Sequence, residues 1–178
     1  MLRISSASGS IRVKVNDPAS NSNRTFDTSI DTKSGSVKGE VLLGNGGSTT
    51  INTVSGSIRT TILTVGVDEN SPLSTLTTGS NSGTQTISIQ GPAIGGKVAR
   101  LQANHHSLGS GSIILKYSPN WTGKMHAKIV GSGGVKATGD GLQFQQNGNK
   151  EVYAWRGSGD LATVEAIGQG SGKIDFAC

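Results

Sequence analysis

A Ser-Gly pair recurs along this chain at nearly regular intervals, and this repeat constrains the fold more than any other feature of the sequence. In each copy the pair is followed by a small or polar residue and then usually by an aliphatic one. Close copies begin at Ser8, Ser34, Ser55 and Ser110, and looser copies begin at Ser82, Ser132, Ser158 and Ser171. Glycine readily adopts the positive φ angles of tight turns, and serine can hydrogen-bond the neighbouring backbone. Each copy therefore predicts a turn.

The residues after each turn alternate between apolar and polar, which is the period of a β-strand. Examples are Ile11-Val13-Val15, Ile87-Ile89 and Ile174-Phe176. Copies lie about 25 residues apart, which is enough for two short strands and two turns. The pattern predicts an all-β, single-domain β-solenoid over residues 1–178, with about seven coils of two strands each and a length of about 34 Å. A β-sandwich is the alternative, because short strands joined by Gly-rich turns also suit that fold.

The composition agrees with a solenoid and excludes a helical protein. Glycine accounts for 27 of 178 residues, and only 33% of the chain is hydrophobic. Each helical Gly costs about 1 kcal/mol relative to Ala, whereas a flattened two-sheet coil needs few large hydrophobic residues and many turn residues. The open ends of such a stack are exposed sheet edges that need capping. Aromatic residues concentrated late in the chain are candidates for a cap: Tyr117, Trp121, Phe144, Tyr153, Trp155 and Phe176.

Three segments carry a resemblance to a known family. They are Ser110-Gly-Ser-Ile-Ile-Leu-Lys-Tyr-Ser-Pro-Asn-Trp-Thr-Gly123, Gly131-Ser-Gly-Gly134 and Ser171-Gly-Lys-Ile-Asp-Phe176. Together with the repeated strand starts, they resemble the putative-adhesin β-solenoid domains, and among these the fungal branch, over about residues 30–178. The resemblance implies a β-solenoid fold and brings no catalytic motif to carry over.

The net charge of +5 is concentrated in the middle of the chain. Residues 70–139 contain no Asp or Glu and carry six basic side chains: Lys97, Arg100, Lys116, Lys124, Lys128 and Lys136. This segment would attract anionic groups, although solvated basic side chains that only maintain solubility are the alternative. Nucleic acid is not an expected partner, because the chain lacks both an aromatic-and-basic RNA-binding motif and a helix to enter a groove.

The histidines are the candidate catalytic residues if the chain is an enzyme. His105 and His106 are adjacent, so on a strand their side chains would point to opposite faces. His126 follows about one coil later, and its pairing with His105 or His106 would supply acid–base groups or bind a metal. The single cysteine, Cys178, excludes zinc sites of the Cys/His kind. We predict neither a metal centre nor a cofactor.

A glycosidase would need two carboxylates about 5–10 Å apart. Because the middle of the chain contains no acidic residue, such a pair would have to come from the ends, for instance Asp140 with Asp160 or Glu165. Asp140 and Asp160 also have a simpler explanation, since both lie in Gly-rich turn sequences.

The aromatic strand Glu151–Arg156 is the principal candidate for a binding surface. If Val152 and Ala154 face the core, Tyr153 and Trp155 stand side by side on the outer face, where a sugar ring could stack on them. With the opposite facing, both aromatic side chains would be buried. Further candidate ligand-binding residues are Arg156, Trp121, Tyr117, Lys116 and Lys124.

The function favoured by the sequence is a non-catalytic, adhesin-like module that binds a glycan or another polymeric ligand through an outer sheet face. An enzyme on the same scaffold is the alternative, either cleaving a polysaccharide or acting as a small-molecule cyclase or isomerase through its histidines. A third hypothesis is a structural subunit that assembles end to end or face to face with copies of itself. Neither a signal peptide nor a transmembrane segment is recognisable in the sequence. This predicts either a cytoplasmic protein or a domain of a longer secreted or surface protein.

Overall fold

A computed structural model of the chain describes residues 1–15, 25–65, 72–91, 100–158 and 161–178. Within these ranges the regular secondary structure is entirely β, which confirms the predicted class. The strands are β1 (Leu2–Ser8), β2 (Ile11–Lys14), β3 (Thr28–Ser34), β4 (Val37–Gly44), β5 (Ser48–Ser55), β6 (Ile58–Val65), β7 (Ser74–Ser82), β8 (Gln85–Gln90), β9 (Leu101–Ser107), β10 (Ile113–Tyr117), β11 (Gly123–Val130), β12 (Val135–Thr138), β13 (Gln143–Asn147), β14 (Glu151–Arg156), β15 (Ala162–Gln169) and β16 (Ile174–Ala177).

The strands form two sheets, and each coil of the chain contributes one strand to each sheet. Sheet 1 has the order β1-β3-β5-β7-β9-β15-β11-β14-β13, and sheet 2 has the order β12-β16-β10-β8-β6-β4-β2. Neighbouring strands are parallel from β1 to β11 in sheet 1 and throughout sheet 2. Seven coils are therefore stacked as in a β-solenoid, and the antiparallel hairpin β13–β14 extends sheet 1 beyond the last coil.

The core lies between the two sheets and is built from the inward residue of each alternating pair. Ile30 of β3 lies beside Ile51 of β5, and Ile58 and Ile62 face them from β6; all four are fully buried. Burying one such side chain contributes about 1.5–3 kcal/mol. The alternation read from the sequence thus places the apolar residues of each strand in the interior, where they are joined by buried polar side chains such as Thr78, Gln85 and His105.

The spatial order of the coils departs from their order along the chain. β15 lies between β9 and β11, and β16 lies between β10 and β12. Coil 6 of the stack is therefore built from β15 and β16, whereas coil 7 is built from β11 and β12, which come earlier in the sequence. Val164, Ala166 and Phe176 of this intercalated coil are buried.

The Ser-Gly repeat corresponds to a column of glycines at one edge of the stack. A Cβ added to each successive glycine would collide with the carbonyl oxygen of the glycine before it, in the order Gly9, Gly35, Gly56, Gly83, Gly111, Gly172 and Gly133. The column runs through all seven coils and follows the spatial order. Of the Ser158 copy, Gly159 and Asp160 lie outside the described residues.

The late aromatic residues separate into two groups. Tyr117, Trp121 and Phe176 pack together in the interior with ring centroids 5.2–5.8 Å apart. Phe144, Tyr153 and Trp155 are exposed on the hairpin.

Beyond the last coil, Lys150 Nζ donates hydrogen bonds to the carbonyl oxygens of Gly131 (2.6 Å) and Gly133 (2.7 Å).

Candidate functional site

The facing of the aromatic strand is resolved by the burial of its alternate residues. Val152 and Ala154 are buried in the core. Tyr153 is 45% exposed and Trp155 is 37% exposed, and both side chains lie on the outer face of sheet 1. Of the two orientations that the sequence left open, the chain adopts the one that presents both aromatic residues to solvent.

His126 joins these two aromatic residues in a surface that we call the aromatic platform (His126, Tyr153 and Trp155). The antiparallel pairing of β11 with β14 places His126 opposite Tyr153 and Lys124 opposite Trp155. The His126 and Tyr153 rings stack with centroids 4.4 Å apart and planes 6° apart. Trp155 Nε1 donates a hydrogen bond of 2.7 Å to Gln143 Oε1 on β13. These contacts hold the rings in place before any ligand binds.

Glu151 is the polar centre beside the platform. Its Oε1 lies 3.0 Å from His126 Nε2 and 3.5 Å from Lys128 Nζ, and it accepts a hydrogen bond of 3.3 Å from the Tyr153 hydroxyl. Asn147 Nδ2 donates to the other oxygen, Oε2, at 3.4 Å. The hydrogen bond from His126, supported by those from Asn147 and Tyr153 and by the charge of Lys128, holds the pKa of the Glu151 carboxyl below its usual value.

A second carboxylate faces the other nitrogen of the same imidazole. His126 Nδ1 lies 3.8 Å from Glu165 Oε1 on β15. Because a carboxylate only accepts hydrogen bonds, the short contact to Glu151 assigns the proton of a neutral His126 to Nε2. An imidazole between two carboxylates can accept and donate a proton at the surface.

The other two predicted catalytic histidines are separated from His126 and from each other. His105 and His106 do point to opposite faces: His105 is buried between the sheets, and His106 lies on the outer face of sheet 1. Burial, with a smaller contribution from the charge of His106, lowers the pKa of His105 from 6.5 to about 3. His126 is one coil later in the sequence but two strands away in the sheet, because β15 is intercalated between β9 and β11. The structure thus brings together neither predicted histidine pair.

Three predicted ligand-binding residues make contacts within the protein. Tyr117 and Trp121 are buried, so they lie away from the outer surface on which the sequence hypothesis placed them. Burial also raises the pKa of the Tyr117 hydroxyl. The Arg156 guanidinium donates hydrogen bonds to the carbonyl oxygens of Pro119, Trp121 and Cys178, and so anchors the loop before β11.

The two predicted lysines lie on different surfaces. Lys124 lies beside Trp155 on the outer face of sheet 1, whereas Lys116 is exposed on the outer face of sheet 2. Of the proposed carboxylate pairs, Asp140 is exposed in the turn before β13 and Asp160 lies outside the described residues. Glu165 contacts His126 instead.

A groove of about 560 Å³ crosses the outer face of sheet 1 in coils 1 to 5, away from the platform. Strand pairing places Asp31, Asn52, Gly79 and His106 in one row across β3, β5, β7 and β9. Asn52 Nδ2 donates to Asp31 Oδ1 at 3.1 Å. A Cβ on Gly79 would collide with the His106 ring and with Asn52 Oδ1, so this glycine provides the space into which both side chains turn.

Sequence reasoning missed Glu151 and Asn52 as members of these sites. Glu151 could have been found, because the two-residue period places it on the same face as Tyr153 and Trp155. Its contact with His126 could not, since it depends on the antiparallel pairing of β11 with β14. Asn52 precedes a Ser-Gly pair by three residues, as Asp31 does, and aligning the repeats would have placed them side by side.

Comparisons with known proteins give a distant structural likeness. No family model and no curated protein matches the chain. The crystal structure of a putative cell adhesion protein from Clostridium sporogenes is similar, with 12% sequence identity and a TM-score of 0.41 over 99% of this chain and 91% of that chain. That likeness is too distant to carry an argument about function. The fungal branch of the adhesin-like family gains no support from it and remains a prediction.

The described residues show neither a metal-binding cluster nor a membrane-spanning helix. Among those residues, no group of three or more His, Cys, Asp and Glu side chains is arranged to hold a metal ion. The same part of the chain contains no helix with the length and apolar character required to cross a membrane.

Proposed function

We propose that the chain is a non-catalytic, adhesin-like solenoid domain that binds a glycan through the outer face of sheet 1. The observation that carries the proposal is the exposure of Tyr153 and Trp155 side by side on a sheet whose inner face is firmly buried. Flat aromatic faces with polar groups around them suit sugar rings, which present apolar faces and hydroxyl edges. Glu151, Gln143 and Lys124 supply such polar groups.

Preorganisation supports the same proposal. The stack of His126 on Tyr153 and the hydrogen bond from Trp155 to Gln143 restrict both aromatic side chains in the free protein. Little conformational entropy would then be lost when a ligand binds.

The test is a glycan array at low and at high salt, with affinities measured for the glycans that bind. Tyr153→Ala and Trp155→Ala should each weaken binding about tenfold, which corresponds to about 1.4 kcal/mol. Phe144→Ala is the matched control, since Phe144 is an exposed aromatic residue of the same hairpin whose strand partner, Ala154, faces the core. Equal loss in all three variants, or no binding at either salt concentration, would contradict the proposal.

The contacts of His126 favour one second candidate, an enzyme that uses this imidazole for acid–base chemistry. Its nitrogens face Glu151 at 3.0 Å and Glu165 at 3.8 Å. Incubation with the bound glycans, followed by mass spectrometry of the products, tests this function. Turnover that is lost in Glu165→Gln while binding persists would establish the enzyme and overturn the non-catalytic module.

A further inference from the structure

The outer face of sheet 2 carries a row of positive charge at one position of the repeat. In each of the first three coils, the residue after the first aliphatic of the strand is basic: Arg12, Lys38 and Arg59. Parallel pairing places Arg12 beside Lys38 and Lys38 beside Arg59. All three side chains are exposed. We call this row the basic ladder.

The basic ladder concentrates like charges at a short spacing. Neighbouring strands lie about 4.8 Å apart, so the three cations occupy a run of about 10 Å. Like charges directly opposite one another destabilise a sheet. None of the three has an ion-pair partner among the described residues. The fold therefore retains an arrangement that costs stability and that an anionic partner would neutralise.

A groove lies at the β2–β4 end of the ladder, beside Arg12 and Lys38. It has a volume of about 310 Å³ and lies between β2 and β4, where Arg12, Lys14, Lys38 and Glu40 line it. Glu40 is the one acidic residue at an outward position of β2, β4 and β6, and strand pairing places it beside Lys14 rather than beside a member of the ladder. The surface around the groove is thus predominantly cationic.

We propose that the basic ladder binds a linear acidic polysaccharide, whose sulfate or carboxylate groups repeat along the chain as the cations repeat along the stack. The choice of polymer rests on what this face lacks. No outward residue on the described strands of sheet 2 is aromatic, and Tyr117 and Phe176 on these strands are buried. Single-stranded nucleic acids are held largely by stacking of bases on aromatic side chains. This site lies on the sheet opposite the aromatic platform and does not depend on the proposed function of that platform.

Heparin, a sulfated polysaccharide, is the probe for the test, with titrations at several salt concentrations. Lys38→Gln should weaken heparin binding severalfold at low salt and reduce the slope of log affinity against log salt by about 1. Because Lys38 lies between two like charges, the same substitution should leave the melting temperature unchanged or raise it. Lys33→Gln, which removes an exposed lysine from sheet 1, is the control and should bind heparin as the wild type does.

Four results would overturn the inference. They are absence of heparin binding by the wild type, equal weakening by Lys33→Gln, a fall of several degrees in the melting temperature of Lys38→Gln, and binding of single-stranded DNA at least as tight as that of heparin. Lys38→Gln should bind the uncharged glycans of the array as the wild type does, because Lys38 lies on the sheet opposite the platform; failure of the aromatic platform and failure of the basic ladder can thus be told apart.

Discussion

His105 is held in one protonation state by a chain of hydrogen bonds in the core. The backbone carbonyl of His106 accepts a hydrogen bond from Gln85 Nε2, which fixes the orientation of that amide. Gln85 Oε1 therefore accepts the hydroxyl proton of Thr78. The Thr78 oxygen, 2.7 Å from His105 Nδ1, can then only accept, so the imidazole proton must lie on Nδ1. The hydrogen bond to the His106 carbonyl thus determines, through Gln85 and Thr78, that His105 is neutral with its proton on Nδ1.

The pKa of His105, lowered to about 3, makes stability depend on pH. Between pH 6.5 and about 3 the unfolded chain binds a proton that the folded chain excludes. The free energy of unfolding should therefore decrease as the pH is lowered through this range, by up to about 1.4 kcal/mol per pH unit. His105→Asn retains a donor near Thr78 but cannot titrate, and should remove the contribution of His105 to this slope. Urea unfolding at a series of pH values measures it. His106→Asn should keep most of the wild-type slope, because burial is the larger cause of the lowered pKa of His105, and a slope lost equally in both variants would contradict the assignment.

Lys150 completes the hydrogen bonding at the last coil. Its ammonium group binds the carbonyl oxygens of Gly131 and Gly133, the second of which ends the glycine column. Lys150→Met leaves both without this donor and should cost about 0.5–1.5 kcal/mol in the free energy of unfolding, because water can reach these carbonyl groups. Lys136→Met, at an exposed position of β12, should change it by no more than about 0.5 kcal/mol. Chemical denaturation of the two variants compares them directly, and equal effects would show that Lys150 has no capping role.

At the scale of the strand and turn, the glycine column sets how closely the coils approach. Gly83 has a φ angle of 131°, and a Cβ there would collide with the backbone of Gly56. Gly83→Ala should therefore lower the free energy of unfolding by at least about 2 kcal/mol, through backbone strain and overpacking. Gly91→Ala is the control, because Gly91 also adjoins β8 and, of the described residues, only Ser118 lies within ordinary contact distance of its added Cβ. If thermal unfolding shows equal losses in the two variants, the column is not the cause.

These elements are the part of the molecule that could be predicted from the sequence. The Ser-Gly pairs located the turns, and the alternation from Ile11 to Val15 or from Ile174 to Phe176 identified the inward faces, because both signals are local. The sequence did not decide which face of the sheet Tyr153 occupies. Both sides of its strand are apolar, with Val152 and Ala154 on one side and the aromatic residues on the other. The partners of His126 were inaccessible, because Glu151 and Glu165 reach it from strands distant in the sequence.

At the scale of the whole molecule, the order of the coils is the feature that sequence reasoning could not reach. The copies at Ser132 and Ser171 have the same motif. The motif therefore does not indicate which of the two coils lies next to coil 5. The decision rests on long-range pairing: β14 occupies one edge of β11, and β15 enters at the other edge against β9. Such a choice has no local signature.

The intercalated coil should behave as the joint between the two parts of the stack. Phe176 is buried against Tyr117 of coil 5 and against Trp121 before coil 7. Phe176→Ala should cost about 3–5 kcal/mol. Hydrogen exchange should accelerate most in β15 and β16 and in the neighbouring strands β9 to β12, while β4 to β6 stay protected, because each coil contacts only its neighbours. The exposed Phe144→Ala is the control. Uniform acceleration along the stack would contradict the expectation.

The intercalation also bears on the time at which each surface is completed during synthesis. β11 leaves the ribosome before β15. If each new strand paired with the strand of the preceding coil, β11 would at that moment pair with the open edge of β9. The native stack instead requires that edge to remain available until the later segment has been made. β11 and β12 therefore reach their native positions only after β15 and β16 have been made, because these later strands separate them from β9 and β10.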